Sequence, residues 1–170
     1  MKLLPFDTFE FQTSLTLEET ITVLKAEVEP KKWFRWFTSK HAFFEGEVSR
    51  EGFKIMRIIN YRNSFLPIIR GTFKQSQNGI NVIIRMSLHP FVLAFMCFWF
   101  GGVIFGLFTV EDGAIRNNSL VAVPLLIMLI LGWVMVYGGF WFEARKAKPK
   151  LLSIFNGQIK SEQIAQADRE

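Results

Sequence analysis

Two uncharged stretches interrupt an otherwise mixed pattern of apolar and polar positions. The first covers nineteen residues, 91–109 (FVLAFMCFWFGGVIFGLFT), and the second twenty-three, 120–142 (LVAVPLLIMLILGWVMVYGGFWF). A short polar break with Glu111, Asp112, Arg116, Asn117 and Asn118 separates them. At about 1.5 Å per residue these stretches reach about 28 and 35 Å as helices, enough to cross hydrocarbon roughly 30 Å thick. The pattern predicts a transmembrane helical hairpin over 91–142, with spans 91–109 and 120–142.

Before the hairpin the period changes. Residues 6–14 alternate, with Phe9 and Phe11 on one face and Glu10 and Gln12 on the other, as in a strand. Thr16 followed by Glu19 has the form of a capping box, and Leu17, Ile21, Leu24 and Val28 fall at helical spacing, which predicts a helix over 17–29 ended by Pro30. Residues 43–61 read as a hairpin turning at 49–52, with Glu47 opposite Lys54. Residues 65–88 read as a second hairpin with Asn78-Gly79 at its tip. That tip sets Phe73 against Ile84, Gly71 against Met86 and Arg70 against Ser87. A one-residue slip would mix the two faces. Pro90 then permits the change from strand to helix. After the second span, residues 143–157 (EARKAKPKLLSIFNG) predict a separate surface helix, followed by a polar tail.

The expected fold is therefore membrane α+β. It comprises an N-terminal helix and small antiparallel sheet over 1–90, a two-helix transmembrane hairpin, and a basic juxtamembrane helix and tail over 143–170. Charge gives an expected orientation. Residues 1–90 carry thirteen Lys/Arg, residues 143–170 six, and the loop between the spans only Arg116. Lys and Arg beside a span favour the cytoplasmic side, so both termini are expected there, in an inner (cytoplasmic) or thylakoid membrane. The first residues hold no apolar run of signal-peptide length, so insertion is expected to be directed by the first span.

The net charge of +5 points to anionic surroundings. Lys32, Trp33, Arg35 and Trp36 before the sheet, His89 at the entry to the first span, and Arg145, Lys146 and Lys148 after the second are candidate membrane-interface residues. Arg70, Lys74 and Arg85 share one sheet face in the expected register and form a candidate surface for anionic head groups or an acidic partner subunit. Gly102 and Gly106 make a G-x-x-x-G step, and with Gly132 are candidates for helix packing, within the hairpin or against other subunits.

No catalytic constellation stands out. There is one cysteine, Cys97, inside the first span, and two histidines, His41 and His89. No phosphate-binding loop, nucleophile elbow or metal-ligand spacing occurs. Glu45 and Glu47 share a strand face and read as solvated edge charges. No catalytic residue, cofactor or metal is expected, and no nucleic-acid platform is visible. The absence of a charge within either span argues against a transport path inside one chain.

The run Tyr61-Arg62-Asn63-Ser64-Phe65-Leu66-Pro67-Ile68-Ile69-Arg70-Gly71, then Leu88-His89-Pro90-Phe91 and Phe142-Glu143-Ala144, resembles an uncharacterised family of small two-span bacterial membrane proteins, cyanobacterial ones among them. The resemblance covers about 43–155. It implies the same layout and brings no catalytic residue with it. The leading expectation is a non-enzymatic accessory or assembly subunit of a larger membrane complex, photosynthetic or respiratory. The alternatives are a lipid- or ligand-sensing module, with a cavity lined by Phe44, Phe53, Phe73 and Ile84, and a homo-oligomeric pore.

Overall fold

A computed structural model describes residues 4–31, 42–77, 79–112, 122–155 and 158–159. The elements in chain order are β1 (Phe6–Thr13), α1 (Leu17–Ala26), β2 (Val28–Glu29), β3 (Phe44–Val48), β4 (Gly52–Arg57), β5 (Ile68–Ser76), β6 (Gly79–Ser87), α2 (Pro90–Asp112), α3 (Ala122–Ile154) and β7 (Gln158–Ile159). The strands form one sheet in the order β2-β3-β4-β5-β6-β1-β7. It is mixed rather than purely antiparallel, because β2 pairs parallel to β3.

Helix α1 starts as its sequence predicts. The Glu19 backbone N–H donates to the Thr16 hydroxyl (3.4 Å), and the Thr16 N–H donates back to the Glu19 carboxylate (2.8 Å). These bonds from Thr16 hold the Glu19 carboxyl below the usual range. The helix stops at Ala26, three residues before the expected end, because Val28 and Glu29 join the sheet instead.

The β3–β4 hairpin has the expected register, with Glu47 opposite Lys54. The β5–β6 hairpin is displaced by two residues. Ser76 pairs with Gly79, so Phe73 faces Val82, Gly71 faces Ile84 and Arg70 faces Arg85. The turn therefore falls one residue earlier than Asn78-Gly79, and Gly79 closes it at φ +121°. An even shift preserves the faces, since side chains alternate with period two. It changes which residues are neighbours.

One face of the sheet is buried. Phe9, Phe11, Phe53, Ile55, Ile69, Val82, Ile84 and Met86 all point into a single core. Only part of its cover is α1, through Leu24. The rest is α3. Residues 143–154 are no separate surface helix: α3 is unbroken over 33 residues and carries the stripe Val136, Phe140, Ala144, Ala147, Leu151, all buried, on to Phe155 beyond its last turn. These positions recur every three or four residues, so one helical face stays turned to the core. Pro149 lies within the helix on its exposed side.

Phe155 stacks against Phe11 and Phe53, with ring centroids 5.3 and 6.3 Å apart. Its carbonyl, an orphan at the helix end, accepts a 2.7 Å bond from the Thr13 hydroxyl. Burying each such ring contributes roughly 1.5–3 kcal/mol. Of the residues expected to line a cavity for an amphiphile, Phe44 and Ile84 are fully buried, and Phe53 packs on Phe73 and Phe155.

The first part of α3 packs against α2. Both helices are long and apolar enough to cross a membrane, and only 11% of the most apolar stretch of each is buried.

Candidate functional site

Where α3 leaves its apolar stretch, Glu143 is completely buried. Arg57 Nη1, at the end of β4, donates to Glu143 Oε2, and the Tyr61 hydroxyl donates to Glu143 Oε1. A buried carboxylate without such partners would be strongly disfavoured. Tyr61 as a residue is 49% exposed, yet its hydroxyl end turns onto Glu143. Withdrawal of that hydroxyl from water, then its bond to the carboxylate, holds the phenol above the ordinary tyrosine range. Arg57 also lies over the Phe43 ring at 5.0 Å, and Lys150 pairs with Glu27 at 3.1 Å.

The loop after β4 closes on the same stretch of helix. Asn63 Nδ2 donates to the Gly139 carbonyl (2.9 Å), and Asn63 Oδ1 accepts the Phe65 N–H (2.9 Å). A Cβ on Gly139 would stand 3.0 Å from Phe65 Cβ, so glycine is what permits this approach. Phe65 then reaches between the two long helices, lining an apolar crevice of about 450 Å³ with Met96, Trp99, Met128 and Leu131. The segment Tyr61–Pro67 is the part that locks the sheet to α3. Neither Arg57 nor Glu143 stood out in the sequence as a pair. The available signal was one acid immediately after 23 uncharged residues.

The open face of the sheet carries the basic residues. Arg70 and Arg85 are exposed and directly opposite each other. Lys54, also exposed, lies opposite Arg70 on its other side. The three form one row across β4, β5 and β6, ended by Glu47 on β3 and Thr8 on β1. Among the described residues, none of the three is held in an ion pair. Lys74 shares the face but lies four positions further along β5, opposite Asn81. The sequence grouped Arg70, Lys74 and Arg85. Lys54 joins the row because β4 pairs with β5 at Lys54–Arg70, and the two-residue shift between β5 and β6 brings Arg85 opposite Arg70 and leaves Lys74 four positions away.

Of the expected interface residues, Lys32, Trp33, Arg35 and Trp36 lie outside the described residues. His89 is exposed and caps α2: its Nδ1 accepts the Phe91 N–H (3.2 Å) and its carbonyl the Leu93 N–H (3.0 Å). Arg145 and Lys146 are exposed, Lys146 over the Phe142 ring at 3.6 Å. Lys148 turns instead to the sheet, 4.6 Å from the Phe9 ring. Gly106 faces Leu125 (3.6 Å) and Gly132 faces Phe100 (3.2 Å), whereas a Cβ on Gly102 would meet nothing within 4 Å. Cys97 is exposed, and no cluster of three potential metal ligands occurs among the described residues.

No family model, curated protein or solved structure matches the chain. What it does is therefore read from its own geometry.

Proposed function

We infer that this is a non-enzymatic integral membrane protein, anchored by α2 and the first part of α3, that serves as an accessory or assembly subunit of a larger membrane complex. The observation that carries the reading is the outward direction of the apolar side chains. Phe91, Phe98, Phe105 and Phe108 of α2 are 67–81% exposed, and Ile130, Leu131 and Met135 of α3 are 56–62% exposed. A helix in a soluble core would bury them. Lipid or another apolar helix supplies the missing cover. The same α3 that leaves the bilayer becomes the core of the α+β domain, so the domain is held at a fixed angle to the membrane rather than on a linker.

The charge bias favours the cytoplasmic side for that domain. The test begins with alkaline washing of native membranes. The chain stays in the pellet and needs detergent for release. On a native gel after mild solubilisation it migrates with other membrane subunits. Release by the alkaline wash overturns the membrane reading. Migration as a lone monomer overturns the subunit reading.

A further inference from the structure

We propose that Lys54, Arg70 and Arg85 form a docking strip for an acidic helix of a partner protein. The proposal rests on the membrane reading above. Three like charges on adjacent strands repel, and like charges directly opposite each other destabilise a sheet. Among the described residues none of the three is held in an ion pair; Glu47 faces Lys54 at the end of the row, and the Arg70–Arg85 pair is left without a neighbouring acid opposite it. An external anion is therefore the fitting complement.

Height decides between lipid and protein. The stripe of α3 reaches Arg57 at one end of the sheet, through Glu143, and Thr13 at the other, through Phe155. Helix and strands thus rise together, and the sheet stands on the bilayer. With Pro90 at the hydrocarbon edge, Arg85 lies five residues back along the chain, through His89 and Leu88 into β6, at most about 16 Å of extended chain. The head-group layer adds only about 5–8 Å per side, and screening acts over about 8 Å at physiological salt. The row lies above most of that reach, facing sideways across the membrane surface. A neighbouring protein meets it there.

Spacing narrows the partner. Strands are about 4.8 Å apart, so Lys54 and Arg85 are separated by about 10 Å across the sheet. Carboxylates at i, i+3 and i+7 of a helix span about 10.5 Å on one face. Alternate residues of an extended strand, at i, i+2 and i+4, span about 13 Å and fit less well. Glu47 beyond Lys54 repels a fourth carboxylate and sets the end of the strip.

The experiment uses the full chain in phosphatidylcholine nanodiscs and two stapled, fluorescein-labelled helical peptides. One carries Glu at i, i+3 and i+7. Its isomer carries the same residues with Glu at i, i+2 and i+5, dispersed around the helix. Fluorescence anisotropy is expected to show the first binding at least about tenfold more tightly, with affinity falling as salt rises. Arg70→Gln and Arg85→Gln are each expected to weaken it about three- to fivefold. Because either change relieves repulsion, the thermal midpoint of the free chain should rise by about 1–3 °C, which separates lost docking from lost folding.

Equal binding of the isomer, or no loss in Arg70→Gln, overturns the proposal. Loss of peptide binding to the phosphatidylcholine discs on adding the soluble head group glycerophosphoserine, at matched ionic strength, assigns the strip to head groups and overturns it too. Binding that appears only when Glu162, Asp168 and Glu170 are neutralised assigns the strip to the chain's own tail, with the same consequence. Incorporation into nanodiscs reports separately on the membrane reading.

Discussion

Arg57 Nη1 donates to the carboxylate of Glu143, 86 residues further along the chain. One residue ends a strand and the other sits within the 33-residue helix that covers the sheet. Removing the cation leaves a fully buried negative charge. Arg57→Ala is expected to cost about 3–5 kcal/mol, seen as a fall of roughly 6–20 °C in the melting midpoint in detergent. The double change Arg57→Met with Glu143→Leu should recover much of this, because an apolar pair needs no compensation. Equal losses in single and double variants would sink the assignment.

Tyr61 makes stability fall in alkali. Its phenol is held above its ordinary value of about 10, so above that pH the folded state binds more protons than the unfolded chain. The stabilisation is present in full below pH about 10 and is lost as pH rises beyond it. Tyr61→Phe should lower stability by about 1 kcal/mol near neutrality and flatten the alkaline slope. Parallel melting curves for the two proteins between neutral and strongly alkaline pH would refute this.

Phe155 closes the core and Phe91 does not. Phe155 is fully buried, whereas Phe91 is 75% exposed on α2. Phe155→Ala should cost about 3–5 kcal/mol and Phe91→Ala under 1 kcal/mol, by thermal melting in the same detergent. A chain ending at Phe142 should lack a folded sheet altogether, with its amides unprotected in hydrogen exchange.

Two glycines in the long helices should respond in opposite ways. Gly139→Ala places a methyl group 3.0 Å from Phe65 and 3.1 Å from Asn63 Oδ1, displacing the loop at a cost of about 1–3 kcal/mol. Gly102→Ala meets nothing and should leave the melting midpoint unchanged or slightly raised. A drop for Gly102→Ala as large as that for Gly139→Ala would contradict the packing described here.

The local features follow from short-range physics and were legible in sequence. The Thr16–Glu19 capping box, the alternation of β1 and the Glu47–Lys54 pairing each involve residues within a few positions or across one tight turn. The two long apolar helices follow from composition alone. Even the faces of β5 and β6 could be read, since a register error of two leaves them intact. The pairing of Arg70 with Arg85 could not, because it depends on which of two adjacent turn positions the assembled sheet prefers.

Only the tertiary structure decided what covers the sheet. In sequence, the charges after Phe142 mark the end of an apolar run and invite a break in the helix. In the fold they face outward, while Ala144, Ala147, Leu151 and Phe155 continue the stripe begun by Val136 and Phe140. The one inward charge, Glu143, finds Arg57 and Tyr61. A linear pattern shows where charge occurs but not which side of a helix the rest of the chain will occupy. That choice is made by burial and by the pairing of groups distant in sequence.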